Sequence, residues 1–373
     1  MNKQITKNAA YDAVAPDDFA AMIEVDRYGE RSNAFDKMIS ATHDHFWDPL
    51  DSRYIDFSQP FDMEKETVLP FEMIMELQTP LADTWSEETK IKLANGIGQM
   101  FLSNILHGEQ AALSLSASLC HILRDQGAAE YASNQAREEA RHVTAFAMYI
   151  KQRWGKPAPC SKVLGEVLDE LVQSDLVYKK IIGMQMIIEG LAMGAFASLF
   201  KYSNDPALRK LTQLVMTDEA FHHKFGKIWA DRTIPHLDEE EHNVVEDWSQ
   251  QVFQTILFNM FGPNDKAELY ASLGIDIEEV KEAMAGSFTT EKRRKRMKNA
   301  TNIMRVLCKT LLNANIITDR TKDFYSTFVD LEELKSEGNH MVGDDIAEEG
   351  IRVLQLINGG EGRTPRQTVA AAE

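Results

Sequence analysis

The stretches REEARHVTAF (137–146) and TDEAFHHKFG (217–226) decide how this chain is read. Each contains Glu-x-x-His: Glu139 with His142, and Glu219 with His222. On a helix, residues three apart share a face, so each pair offers a carboxylate and an imidazole to one point. A further acid precedes each pair inside an apolar stretch. These are Glu109 in FLSNILHGEQAALSL (101–115) and Glu189 in MQMIIEGLAMGAF (184–196). The spacing is 30 residues both times, from 109 to 139 and from 189 to 219. The chain thus uses one helix pair, Glu…Glu-x-x-His, twice.

Four carboxylates and two imidazoles brought together in a bundle make sense for one purpose. Unpaired buried acids are costly, and two divalent cations would neutralise all four. Carboxylate oxygens with imidazole suit iron or manganese and leave positions open for oxygen. One Glu from each of two helices, with Glu-x-x-His from the other two, is how bundle-core di-metal sites are built. A single Glu-x-x-His is a weak signal; two in this register are a strong one. The competing reading is four surface acids and two satisfied histidines. Glu189 opposes it, with Met186, Ile187, Ile188, Leu191 and Met193 around it. The expected metal ligands are therefore Glu109, Glu139, His142, Glu189, Glu219 and His222.

The rest of the chain reads as helix. Ser86 followed by Glu87 and Glu88 caps a helix running to about residue 124, with Gly127 just past its end. Further helices are expected at 128–154, 162–172, 174–202 and 204–231, the last opened by Asp205-Pro206. Long antiparallel helices with short connections make an all-α, four-helix bundle, its core at 86–231. Helices at 238–261, 264–284, 290–315 and 320–336 extend it. Residues 1–45 read as an N-terminal arm. Residues 46–85, punctuated by four prolines, read as loops with one short helix. One helical domain spans 46–337. Residues 338–373 form a C-terminal segment, with a disordered tail from about 359.

Composition narrows the class. The 373 residues carry 58 acidic and 40 basic side chains, a net charge of −18, which excludes a broad nucleic-acid surface. Three widely spaced cysteines exclude a disulfide framework and point to a reducing, cytoplasmic setting. The N-terminus has no apolar signal core. The most apolar stretch, 181–200, is interrupted by Gln185 and Glu189, so no transmembrane segment is expected.

Over residues 47–231 the sequence resembles the ferritin-like superfamily, in its oxygen-activating di-metal branch. That branch includes ribonucleotide reductase small subunits, ligand-binding oxidases, monooxygenase hydroxylases, acyl-carrier-protein desaturases and arylamine N-oxygenases. The resemblance implies that Glu109, Glu139 and His142 bind one metal, and Glu189, Glu219 and His222 the other, with some carboxylates bridging. Phe46-Trp47-Asp48-Pro49 and Ile55-Asp56-Phe57-Ser58 are similar to a Trp-x-Pro…Ile-Asp-(Phe/Leu)-Ser stretch of the reductase subunits and ligand-binding oxidases, with two extra residues between the halves. Asp218 resembles the acid that hydrogen-bonds a histidine ligand there and links onward to a Trp. Trp47 either matches that Trp or is a core anchor.

Several positions depart from the branch's subgroups. The radical tyrosine of many reductase subunits is Phe146 here. A threonine of the hydroxylases is Met193, and the extra histidine of the arylamine oxygenases is Val215. His223 points about 100° from His222 and reads as supporting or structural; His107 reads as structural. No cysteine-rich iron domain of the rubrerythrin kind is present.

The resemblance implies a di-iron or manganese/iron oxidase or oxygenase. It would activate O₂ with electrons from a reductase or ferredoxin and oxidise a small organic or lipid-like substrate, and it is compatible with a homodimer. Phe146, Met186, Met193 and Phe196 are the pocket candidates, although plain core packing explains most such stripes. Two alternatives stand beside this: a reductase-like radical-generating subunit, and a non-catalytic iron-binding or ferroxidase protein.

Overall fold

The computed structural model describes residues 11–43, 45–259, 262–287, 302–338 and 341–359. Among them the protein is helical, with one isolated β-bridge between Ala13 and Leu123. Four helices form the bundle: Glu87–Ile122, Gln126–Trp154, Lys179–Tyr202 and Pro206–Thr233. The first packs along the second and the third along the fourth, as the repeat requires.

Local chemistry sets the helix ends. The Ser86 hydroxyl accepts from the Thr89 amide at 3.1 Å and caps the first bundle helix. Asp205 accepts from the Ala207 amide at 2.9 Å, with Pro206 in the first turn of the fourth. The first bundle helix stops at Ile122, short of the expected end. There its backbone pairs with the N-terminal segment, Val14 donating to Ile122 and Arg124 to Asp12. Gly127 is not a helix-ending residue. It lies in the first turn of the second bundle helix, whose cap Asp125 accepts from the Gly127 and Ala128 amides. A Cβ at Gly127 would come within 2.6 Å of the Ser32 carbonyl.

The third bundle helix departs most from expectation. Its first ten residues, Lys179–Ile188, are π-helical, and regular α-helix begins at Glu189. Wide turns of this kind tend to occur where a side chain must be re-aimed at a functional site. The fourth bundle helix makes room through Gly226, where a Cβ would sit 2.7 Å from the Gln185 carbonyl oxygen. That obstacle is backbone and cannot rotate away. Gly226→Ala is therefore expected to cost about 1–3 kcal/mol, read as a lower urea midpoint with an unchanged m-value. Although Lys179–Tyr202 is long and apolar enough to cross a membrane, 83% of its most apolar window is buried inside the fold. Here it is the central core helix.

Other differences follow from packing. Residues 11–43, read as part of an arm, hold Phe19–Met22 and Asp36–Thr42 and bury Tyr11 and Phe35 completely. Tyr11 packs on Trp229 and Phe35 on Phe225, with ring centroids 5.7 and 5.3 Å apart. Residues 46–85 contain three single 3₁₀ turns, not one helix. The expected helix at 264–284 is split around Gly274, whose φ is 70°, and the one at 320–336 is restarted by Asp330 capping Leu331–Ser336. The helix expected at 290–315 is described only from Ile303 to Asn313, because 288–301 lie outside the described residues. The C-terminal segment carries the helix Val342–Gly359, which packs on the fourth bundle helix. The tail beyond 359, expected to be disordered, lies outside the described residues.

Candidate metal centre

The six expected ligands come together, all buried, at the middle of the bundle. Glu109, Glu139, His142 and Glu219 offer donor atoms within 4.8 Å of one another, and so do Glu139, Glu189, Glu219 and His222. Glu139 and Glu219 belong to both groups. Each places one oxygen on either histidine. Nδ1 of His142 lies 3.3 Å from Glu139 Oε2 and 3.1 Å from Glu219 Oε1. Nδ1 of His222 lies 3.1 Å from Glu139 Oε1 and 3.2 Å from Glu219 Oε2. Glu109 completes the His142 side at 3.2 Å, and Glu189 belongs to the His222 side. Two cations could thus share two carboxylates, each with one histidine and one further carboxylate. The donor set fits iron or manganese. Glu139 Oε2 has no hydrogen-bond partner, as expected of an oxygen reserved for a cation.

The outward-facing histidine nitrogens are held by acids from the opposite helix. His142 Nε2 lies 2.8 Å from Asp218 Oδ2, and His222 Nε2 lies 2.9 Å from Glu138 Oε2. A proton kept at each Nε2 leaves each Nδ1 lone pair free for a metal. Asp218 is itself fixed by Arg141 and by Trp47, whose indole N–H donates to Oδ2 at 2.9 Å. Trp47 stacks on His142 with ring centroids 6.0 Å apart, and the Arg141 guanidinium lies over the Trp47 ring, 5.0 Å from its centroid. Trp47 is both a fully buried anchor and the partner of Asp218.

Sequence reading missed Glu138, Gln135 and Gln185. Glu138 precedes Glu139 as Asp218 precedes Glu219, so an acid-Glu-x-x-His repeat was available as a signal. Gln135 and Gln185 lie one turn before Glu139 and Glu189. Their side chains bond reciprocally, and the Gln135 amide also lies 3.1 Å from Glu139 Oε1 and 3.2 Å from Glu189 Oε1. Gln135→Ala is expected to weaken metal binding by about 10- to 100-fold, measured by competition with a coloured chelator.

Burial holds Glu109 and Glu189 well above the ordinary carboxyl range. Burial also opposes charge on the two histidines, yet the surrounding carboxylates hold both well above their usual value. All four groups therefore favour the protonated form when folded. The stability they contribute is present below their unfolded values, about 4.3 and 6.5, and is lost as pH rises toward the folded ones. Glu219 and Asp218 act oppositely. Despite burial they are held low, by His222 and Arg141 first, so their contribution is lost in acid. Chelator-treated protein should be most stable in mildly acid solution, its melting temperature falling as pH rises above about 6.5. Metal loading should remove that decline.

The two other candidate histidines bond elsewhere. Burial pushes His223 down to about 4; it hydrogen-bonds Thr310 at 3.1 Å, away from the centre. His107 bonds the Ala158 carbonyl at 3.0 Å. A cavity of about 630 Å³ reaches Glu109, Glu189 and Glu219. Of the four pocket candidates, Phe196 lines it. Phe146 stacks behind Phe196 at 5.8 Å, while Met186 and Met193 are core side chains, because their faces of the third bundle helix meet neighbouring helices. Ile188, Ala192 and Ala195 line the cavity instead.

The bundle and this centre define a ferritin-like fold with a buried carboxylate–histidine cluster able to bind metal. The fold is that of the R2-like ligand-binding oxidases. An R2-like ligand-binding oxidase with an aerobically reconstituted Mn/Fe cofactor superposes with a TM-score of 0.50 at 17% identity, covering 77% of this chain and 93% of its own. A point mutant of such an oxidase, also reconstituted with Mn/Fe, gives 0.47 at 17% identity over 77% and 94%. No protein-family model and no curated protein sequence matches the chain.

Proposed function

We propose that the protein is a di-metal oxidoreductase that uses O₂ to oxidise an apolar organic substrate. The observation that carries this reading is the sharing of Glu139 and Glu219 between the two histidines. Glu109 and His142 would complete one metal position, Glu189 and His222 the other. The superposed ligand-binding oxidase carries a reconstituted Mn/Fe cofactor, and the donors here suit that pair or two irons. Bound metals would supply the electrons for reducing O₂, replenished by an external reductase or ferredoxin. The protein's own residues fix the ligands. Asp218 and Glu138 hold the Nε2 protons, Gln135 restrains Glu139 and Glu189, and the bundle keeps bulk water out. The cavity beside Glu109 and Glu189 is where substrate would lie.

A second reading, a radical-generating subunit, is favoured by the line Trp47–Asp218–His142. Phe146, where that reading wants a tyrosine, opposes it. Loading with Fe(II) without oxygen and then admitting O₂ tests the proposal. Metal-dependent O₂ consumption sustained by a reductant supports an oxidase. Metal uptake with a single stoichiometric oxidation and no turnover supports storage or radical generation.

A further inference from the structure

The cavity that touches Glu109 also touches Glu76, Asp265 and Lys266. It follows one face of the first bundle helix from Gly96 to Glu109, on the order of 20 Å of helix rise. The Glu76 cluster belongs at the Gly96 end. A Cβ at Gly96 would touch Leu269, and Tyr270 beside it donates to Glu76 Oε1. Lys266 donates to the same oxygen at 2.6 Å. The second oxygen, Oε2, is buried with no partner, on a residue 1% exposed. Asp265 Oδ2 is likewise buried and unpartnered. Buried carboxylate oxygens left unpaired are costly unless something donates to them.

We propose that this end of the cavity binds the ammonium group of an amphiphilic amine, whose apolar body runs along the first bundle helix toward the candidate metal centre. The charge count favours a cation: leaving out Glu268, which is exposed, Glu76 and Asp265 stand against one lysine, Lys266. The cavity's other lysine, Lys162, is solvent-exposed and lies 3.9 Å from Glu166. Between the ends the wall is apolar, with Ile97, Phe101, Ile105 and Ala192 along it. An ammonium donates to Glu76 Oε2 and Asp265 Oδ2, whereas a carboxylate head would add repulsion to an unsatisfied pair. That this ligand is the substrate rests on the oxidase reading; the amine site itself does not.

Calorimetric titration of the full-length, metal-free protein with decylamine and with decanoate tests it. Decylamine is expected to bind at least about tenfold more tightly, and Glu76→Gln to remove about tenfold of that affinity while leaving decanoate unchanged or stronger. Because Glu76 also holds Lys266 and Tyr270, Asp265→Asn serves as the second variant and should lower decylamine affinity without a change in melting temperature. Decanoate binding as tightly as decylamine, or both variants binding decylamine like the wild type, would overturn the inference. Metal content is measured separately. A protein that binds decylamine through Glu76 yet takes up no metal keeps the amine site and removes the oxidase reading. One that loads metal and prefers decanoate overturns the amine site alone.

Discussion

Glu219→Ala is expected to abolish metal loading at both positions at once. Glu219 lies 3.1 Å from Nδ1 of His142 and 3.2 Å from Nδ1 of His222, so one substitution would take a ligand from each proposed metal position. Loss of a supporting hydrogen bond alone costs about 10- to 100-fold in affinity, and loss of a shared ligand should exceed that at each site. Glu139→Ala should behave the same way. Glu109→Ala and Glu189→Ala should differ, each impairing one position while the other still loads. Metal analysis after equilibrium dialysis distinguishes the two outcomes. If Glu219→Ala and Glu109→Ala lost metal to the same extent, the shared-carboxylate arrangement would be wrong.

The largest effect on stability is expected at Asp218. Its carboxylate is completely buried and takes Arg141, His142 and Trp47 together, with His45 at 3.4 Å. Asp218→Ala leaves the guanidinium of Arg141, 9% exposed, with only the Glu138 carboxylate, 3.8 Å away, as counter-charge. Removing one partner of a buried pair costs about 3–5 kcal/mol. Denaturant unfolding measures this directly. Asp218→Asn retains an acceptor and should cost less, while still weakening metal binding by letting the His142 ring turn. A loss below about 1 kcal/mol for Asp218→Ala would mean that Arg141 is solvated, as in a surface ion pair.

Helical periodicity made the centre readable. Glu-x-x-His is a local pattern, and a regular helix turns it into geometry without knowledge of the fold. Glu138 was harder to read. Its neighbour Glu139 points into the centre, so Glu138 points about 100° away, and only the opposite helix shows that it meets His222. Gln135 and Gln185 depend on the π-helical stretch, for which residues 179–188 carry no compositional mark. Met193 and Met186 illustrate another limit. Apolar spacing says that a residue is buried, not whether it faces a cavity or a neighbouring helix. Residues 11–43 were read as an arm because Tyr11 and Phe35 are isolated anchors in short turns, where no period can develop.

The central claim is that Glu139 and Glu219 hold two metals against each other. Electron paramagnetic resonance of protein loaded anaerobically with Mn(II), alongside metal counting, tests it most directly. The account predicts about two ions per chain with an exchange-coupled signal, since carboxylate-bridged ions lie close together. It also predicts that Glu219→Ala abolishes that signal. A single ion per chain, or two giving only uncoupled Mn(II) spectra, would contradict it.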